Sequence, residues 1–128
     1  MNLGMTLEEL LELATREEET EIIQEKGSLE IKKKEETLFQ EGLRLLRERD
    51  YLLAAAHFLA LTLLDPHHVK AWNNLGIAYF HLGERERAQR AFEEALRLDP
   101  QNQLARENMV LFTKIYQGGR ENGSKKIG

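Results

Sequence analysis

The sequence predicts an all-α protein built from antiparallel helix pairs. Only two prolines, Pro66 and Pro100, interrupt its 128 residues, so long stretches are free to form helices. The apolar residues recur every three or four positions, which is the spacing that places side chains on one face of a helix. The same pattern repeats after 34 residues, which indicates two copies of one structural unit.

The internal repeat superposes residues 35–68 on residues 69–102. The identical residues that share this register are Gly42 and Gly76, Ala54 and Ala88, Phe58 and Phe92, Leu64 and Leu98, Asp65 and Asp99, and Pro66 and Pro100. The glycines and alanines leave room for a neighbouring helix, and the phenylalanines fill the space beside it. Each copy is therefore expected to be one pair of antiparallel helices.

The second copy carries a specific signature, made of Trp72, Leu75, Gly76, Tyr79, Ala88, Phe92, Ala95 and Pro100. This arrangement resembles the tetratricopeptide repeat at every signature position. The first copy is more divergent, with Leu38 where the family has tryptophan and Leu61 where it has a second alanine. The resemblance implies a short right-handed α-solenoid, in which the first helix of each pair lines a concave face. Trp72 and Tyr79 are expected to pack between helices.

The repeat domain should occupy residues 35–117, with repeats at 35–68 and 69–102. The periodicity predicts helices over 36–48, 52–64, 69–82 and 85–98, followed by a capping helix over 103–117. Gly83 suits the left-handed end of one helix, and Asp99-Pro100 ends another. Residues 118–128 lack apolar periodicity and are expected to be a flexible tail.

Residues 1–34 do not fit the repeat and form an acidic N-terminal segment. Residues 1–30 hold nine acidic side chains and two basic ones, whereas the remaining residues hold thirteen and sixteen. Thr6 should cap an amphipathic helix through Ala14. Residues 21–32 could then form a helix, a turn at Gly27-Ser28 before the next helix, or a small hairpin; we favour a helix for the segment.

Composition argues against nucleic acids and membranes as partners. The slight positive excess after residue 30 is too weak for a nucleic-acid-binding surface, and no apolar stretch is long enough to insert into a membrane. The N-terminus has no basic start followed by an apolar run, so a cytoplasmic protein is expected. The partner should therefore be another protein, as a peptide or a helix, or a second copy in a homodimer.

The residue inventory predicts a protein that is not an enzyme and takes no cofactor or metal. Cysteine is absent, which excludes a thiol nucleophile and thiolate-bound metals, and the two serines lie far from any histidine. The histidines are His57, His67, His68 and His81. His67 and His68 follow Asp65-Pro66 in the turn between repeats, and no carboxylates accompany them at metal-binding spacing.

The resemblance places a partner-binding groove on the concave face. Carrying over the family's groove positions gives Glu36, Phe39, Leu43, Leu46, Lys70, Asn73, Asn74, Ile77, Phe80, His81, Leu104, Glu107, Asn108 and Leu111. This set predicts an apolar groove with a polar rim. The expected apolar anchors for the partner are Phe39, Leu43, Ile77 and Phe80, and charged substitutions of Ile77 and Phe80 are expected to abolish binding without unfolding the protein. The residues expected to form hydrogen bonds with the partner are Asn73, Asn74 and Lys70.

Two functions follow from this groove. The first is a non-catalytic adaptor that binds a partner helix or peptide on the concave face. The alternative is a self-assembly module or small chaperone whose groove is covered by its own N-terminal helix. One kind of protein in this family binds the terminal carboxylate of a chaperone peptide through two lysines, an arginine and two asparagines. The corresponding residues here offer no cation, which disfavours that activity; they are Phe39, Leu43, Asn74, Leu104 and Asn108.

Overall fold

The computed structural model describes the backbone of residues 4 and 6–127 and the side chains of residues 4, 6–13, 16 and 24–117. Within this part the chain forms five helices: α1 (Leu7–Arg47), α2 (Tyr51–Leu64), α3 (Val69–His81), α4 (Arg85–Leu98) and α5 (Gln103–Ile127). The structure divides into two units, Met1–Lys34 and Glu35–Gly128. The second unit contains the two antiparallel helix pairs and α5, so the all-α fold and its helix pairs are confirmed.

In the first unit, the predicted cap at Thr6 is present as a reciprocal pair of hydrogen bonds. The Glu9 backbone N–H donates to Thr6 Oγ1 at 3.2 Å, and the Thr6 N–H donates to the Glu9 carboxylate at 3.1 Å. The helix does not end near Ala14. It continues through Gly27-Ser28, so the segment is the favoured helix, and neither the alternative turn nor the alternative hairpin forms. A single glycine lowers helix stability by only about 1 kcal/mol, and no proline interrupts the segment.

The second unit shows the 34-residue repeat in its packing. A Cβ atom added at Gly42 would lie 2.6 Å from the ring of Phe58, and one added at Gly76 would lie 2.6 Å from the ring of Phe92. Both distances are shorter than the non-bonded contacts that Cβ atoms make in proteins, so only glycine allows these helices to approach so closely. The close approach occurs once in each pair, at equivalent positions.

The core lies between these helices. Ala54, Phe58, Leu61 and Ala78 are fully buried, and Leu75 is nearly so. Trp72 and Tyr79 pack against this core as predicted. The Trp72 indole N–H also donates to the Pro66 carbonyl oxygen at 2.8 Å, which fastens α3 to the turn that precedes it.

Side chains cap the N-termini of three helices in the second unit. Asp50 accepts from the Leu53 N–H at the start of α2, His68 Nδ1 from the Ala71 N–H at the start of α3, and Asn102 from the Ala105 N–H at the start of α5. Each satisfies a backbone donor that the helix itself leaves unpaired. His68 is therefore a structural residue.

The last helix continues to Ile127, beyond the predicted end at residue 117. The expected flexible tail at 118–128 is thus helical as far as its backbone is described, and Gly128 lies outside the described residues. Glycine and asparagine weaken a helix without blocking it, whereas a proline would stop it. Among the described residues, no helix combines the length and apolar content needed to cross a lipid bilayer.

The turns within the two pairs have the same geometry. Arg49 has φ of 62° and Gly83, 34 residues later, has φ of 76°. The following residue closes both turns, because the Asp50 N–H donates to the Leu45 oxygen and the Glu84 N–H donates to the Tyr79 oxygen, each at 2.9 Å. The first pair therefore holds an arginine in a left-handed conformation that favours glycine.

We predict that Arg49→Gly stabilises the protein by about 0.5–1 kcal/mol, because it relieves the left-handed strain and loses little in return. Urea denaturation followed by circular dichroism measures the change. The matched variant Gly83→Ala should destabilise the protein by about 1 kcal/mol. Equal effects of the two substitutions would contradict this interpretation of the turns.

Candidate functional site: a cleft between α3 and α5

An open cleft of about 280 Å³ lies between α3 and α5. Its walls are mainly apolar, and its lining consists of Ile77, Phe80, His81, Phe92, Asn108, Leu111, Phe112 and Ile115. Ile77 and Phe80 are half-buried, whereas Leu111 is 58% exposed and Ile115 is 45% exposed. One wall is thus anchored in the protein, and the other presents its side chains to solvent.

The position of α5 follows from small and aromatic residues facing α3 and α4. Ala105 is fully buried, which lets the start of α5 pack closely. Further along, Phe112 packs with Ala88 and Phe92 in a second core cluster. The rings of Phe92 and Phe112 lie edge to face, with their centroids 5.8 Å apart.

An aromatic cluster holds one end of the cleft. The ring of Phe80 meets the rings of Phe112 and Tyr116 edge on, at centroid distances of 6.3 and 6.2 Å. The Arg85 guanidinium lies 4.4 Å from the centroid of the Tyr116 ring, so α4 also contributes through a cation–π contact. Contacts from three helices therefore fix these rings before any partner binds.

His81 lies at the edge of the same cleft and stacks on Tyr51. The two rings are nearly parallel, at 9°, with their centroids 4.3 Å apart. Tyr51 belongs to the first helix pair and His81 to the second, so the stack joins the two pairs. This contact positions the His81 ring beside Phe80.

A hydrogen bond between two asparagines joins α3 and α5. The Asn108 amide donates to Asn73 Oδ1 at 3.0 Å. Asn73 is only 2% exposed, so it supports the cleft and cannot contact a partner directly. The expectation that Asn73 bonds to a partner is therefore wrong, because its oxygen already accepts from α5.

The cleft gathers five of the residues expected in the groove: Ile77, Phe80, His81, Asn108 and Leu111. Of the others, Phe39, Leu43 and Leu46 pack against the core cluster that the two helix pairs share. Lys70, Leu104, Glu36 and Glu107 are exposed and Asn74 is half-buried, all outside this cleft. Their part in partner binding stays a prediction.

The role expected of Ile77 and Phe80 needs a correction. Both pack against the buried cluster of Ala88, Phe92 and Phe112. A charge at either position would have to enter that cluster, so it would destabilise the fold as well as the cleft. Leu111 and Ile115 are better probes of binding because their side chains are exposed.

Phe92, Phe112 and Ile115 are lining residues that the sequence prediction missed. Phe92, which the sequence predicts only to pack between helices, also lines the cleft, while its ring meets Gly76. Ile115 lies four residues after Leu111, so helical spacing could have identified it. The groove positions that the repeat family implies do not include this residue.

Few charges lie near the cleft. His81 is the one titratable side chain among its lining residues. The resolved ion pairs lie elsewhere: hydrogen bonds from Arg44 lower the pKa of Glu41, and those from Arg97 lower the pKa of Glu94. Both are exposed pairs within single helices, so they contribute little to the site.

The histidines have structural contacts. His57 Nδ1 lies 2.8 Å from the Leu53 carbonyl oxygen, His68 caps α3, and His81 stacks on Tyr51. In the part of the chain that the structure describes, no group of three histidine or carboxylate side chains is placed to hold a metal ion.

We predict that Asn73→Ala destabilises the protein by about 1–2 kcal/mol, because it leaves the Asn108 amide without its partner and opens a small void. Thermal and urea denaturation measure the loss. Asn74→Ala is the matched control, since the structure shows no side-chain hydrogen bond for this half-buried neighbour, and its effect should stay within about 0.5 kcal/mol. A smaller loss for Asn73→Ala than for the control would refute the bridging role.

Comparisons with known proteins agree with this architecture. A family model described as tetratricopeptide repeat matches residues 69–102. The chain is 39% identical over 88 residues to the tetratricopeptide repeat domain-containing protein PYG7, chloroplastic, of Arabidopsis thaliana. The match covers 66% of this chain and 29% of that protein, so the chain spans less than a third of its relative.

The fold is also similar to a solved structure, the first tetratricopeptide-repeat domain of Spaghetti (RPAP3) bound to the HSP90 peptide SRMEEVD. The TM-score is 0.57 at 22% identity, over 59% of this chain and 60% of that one. The residues that match the family model form α3 and α4 and the turn between them, and the preceding pair repeats their glycine–phenylalanine contact. The chain is a tetratricopeptide-repeat protein.

Proposed function

We propose that this protein is a non-catalytic adaptor that binds a helix or peptide of another protein in the cleft between α3 and α5. The observation that carries the proposal is the pair of exposed apolar side chains, Leu111 and Ile115, opposite a half-buried aromatic wall. Such a surface provides apolar anchor pockets on a rigid support. The solved structure of similar fold holds a peptide, which supports a protein partner.

The lining selects a partner by shape and apolar contact. It contains no carboxylate, lysine or arginine, so charged groups on a partner find no counter-charge within the cleft. One or two leucine, phenylalanine or methionine side chains would bury apolar surface against Phe80 and Leu111. Asn108 supplies the one carboxamide of the lining.

The uncharged lining distinguishes this cleft from a site that binds the terminal carboxylate of a peptide. The peptide in the solved structure ends in Glu-Glu-Val-Asp and so carries several negative charges. Gripping a terminal carboxylate strongly requires cationic donors in fixed positions. The five residues of this chain at the positions of the family's carboxylate-binding site include no cation; they are Phe39, Leu43, Asn74, Leu104 and Asn108. We therefore propose that it does not use that mode of binding.

The test uses the full-length, isotope-labelled protein and NMR titration with two kinds of synthetic peptide. One is an uncharged helical peptide with leucine or phenylalanine at positions i, i+4 and i+7; the other is SRMEEVD, with a free or an amidated terminus. The first should shift the resonances of Ile77, Asn108 and Leu111 with a micromolar to millimolar Kd. Micromolar binding of SRMEEVD that disappears on amidation would contradict the proposal.

We predict that Leu111→Glu and Ile115→Glu each weaken binding of the apolar peptide at least tenfold without unfolding the protein, because a carboxylate replaces an apolar contact on an exposed wall. Fluorescence anisotropy with the labelled peptide measures the affinity, and circular dichroism confirms folding.

Val110→Glu is the matched control, since Val110 lies on the same helix and is 54% exposed but does not line the cleft. Its affinity should equal that of the unaltered protein. If all three variants bind equally well, the partner site lies elsewhere.

A further inference from the structure

The outer face of α2 is an exposed apolar surface that the proposed partner cleft does not use. Its side chains Leu52, Leu59 and Leu63 are 70%, 41% and 76% exposed, and Ala56 lies between them and is also exposed. These four residues, here called the α2 stripe, are spaced by four, three and four positions. That spacing is the one by which two helices pack along a common seam.

The helix that carries the α2 stripe has no charged side chain. Its fourteen residues, from Tyr51 to Leu64, include no aspartate, glutamate, lysine or arginine. Every other helix in the described part of the chain carries charges: Glu8 and Glu9 lie beside the exposed leucines of α1, and Arg106 and Glu107 lie close to those of α5. Within this chain, α2 is thus the helix best suited to pair with a surface that is itself uncharged.

We propose that the α2 stripe pairs with the α2 stripe of a second copy, in antiparallel orientation about a two-fold axis. In this register Leu52 faces the partner's Leu63, and Ala56 faces the partner's Leu59. The small alanine leaves the space that the larger leucine fills, and the two-fold axis repeats this match on the other side. No like charges meet along the seam.

The size of the surface sets the expected strength of this dimer. The exposed leucines of α2, including Leu53 and Leu64, would bury roughly 340 Å² of apolar area in each copy, if a fully exposed leucine offers about 120 Å². The total of about 700 Å² lies below the size of stable specific interfaces, so only a weak dimer is expected, with a Kd on the order of 100 µM or weaker.

The neighbouring helix extends the surface. Leu59 also borders an open groove between α2 and α4. Trp72 and Tyr79 are among its lining residues, and its α4 side carries the charged residues Arg87, Arg90, Glu93, Glu94 and Arg97. Arginine stems can cover an apolar helix while the guanidinium groups stay in water. The interface uses neither the N-terminal segment nor the α3–α5 cleft.

Sedimentation equilibrium of the full-length protein, from 10 µM to 1 mM, tests the proposal. The unaltered protein should show a reversible monomer–dimer equilibrium. Leu63→Glu should weaken dimerisation at least tenfold, and it should leave the fold intact because the side chain is 76% exposed. Val110→Glu should dimerise like the unaltered protein. A strictly monomeric protein at 1 mM, or an equal loss in both variants, would overturn the proposal.

Disulfide trapping tests the register, because the natural chain contains no cysteine. Separately labelled Leu52→Cys and Leu63→Cys proteins are mixed and oxidised. The mixed disulfide should form faster than either symmetric one, and a dominant symmetric disulfide would overturn the antiparallel arrangement.

A flotation assay with neutral phosphatidylcholine vesicles tests the competing occupant. The protein should not float with the vesicles. A monomeric protein that binds vesicles through Leu63 would show that the surface faces lipid, and it would likewise overturn the proposal. Since these variants leave the α3–α5 cleft unchanged, failure of the dimer would not affect the proposed peptide binding.

Discussion

The contact between a glycine and a phenylalanine ring within each helix pair is the constraint on which the rest of the structure depends. Gly76 meets the ring of Phe92, and Gly42 meets that of Phe58. Because no side chain separates the helices at these points, each pair packs closely around an aromatic ring. The ring of Phe92 also meets Phe112 and thereby positions α5. The same side chain thus holds a repeat together and forms part of the candidate site.

The two repeats use equivalent positions for different purposes. In the first repeat, Phe39 meets Phe58 and the ring of His68, so its side chain belongs to the packing of the first pair. In the second repeat the equivalent residue is Asn73, which accepts a hydrogen bond from Asn108. At this repeat position, the first repeat therefore has an apolar contact and the second repeat has a hydrogen bond. The polar version leaves an open, partly apolar cleft beside the second pair.

The sequence was sufficient to predict the repeat helices, because their glycines, phenylalanines and prolines recur in one register. It was insufficient where no side chain fixes an end: nothing blocks helix continuation at Gly27 or after Gln117, and Arg49 adopts a left-handed turn that no local signal indicates. The site was predicted in part. Repeat positions identified Ile77, Phe80 and Leu111, but burial of Asn73 and exposure of Ile115 depend on how α5 packs.

A double-mutant cycle between Gly76 and Phe92 tests the central claim most directly. Urea denaturation of Gly76→Ala, Phe92→Leu and the double variant gives the three changes in unfolding free energy. Since the added methyl group would clash with the ring, Gly76→Ala should cost about 1–3 kcal/mol in the natural background, and about 1 kcal/mol less once leucine replaces the ring. Additive effects, within about 0.3 kcal/mol, would show that the contact does not set the helix spacing.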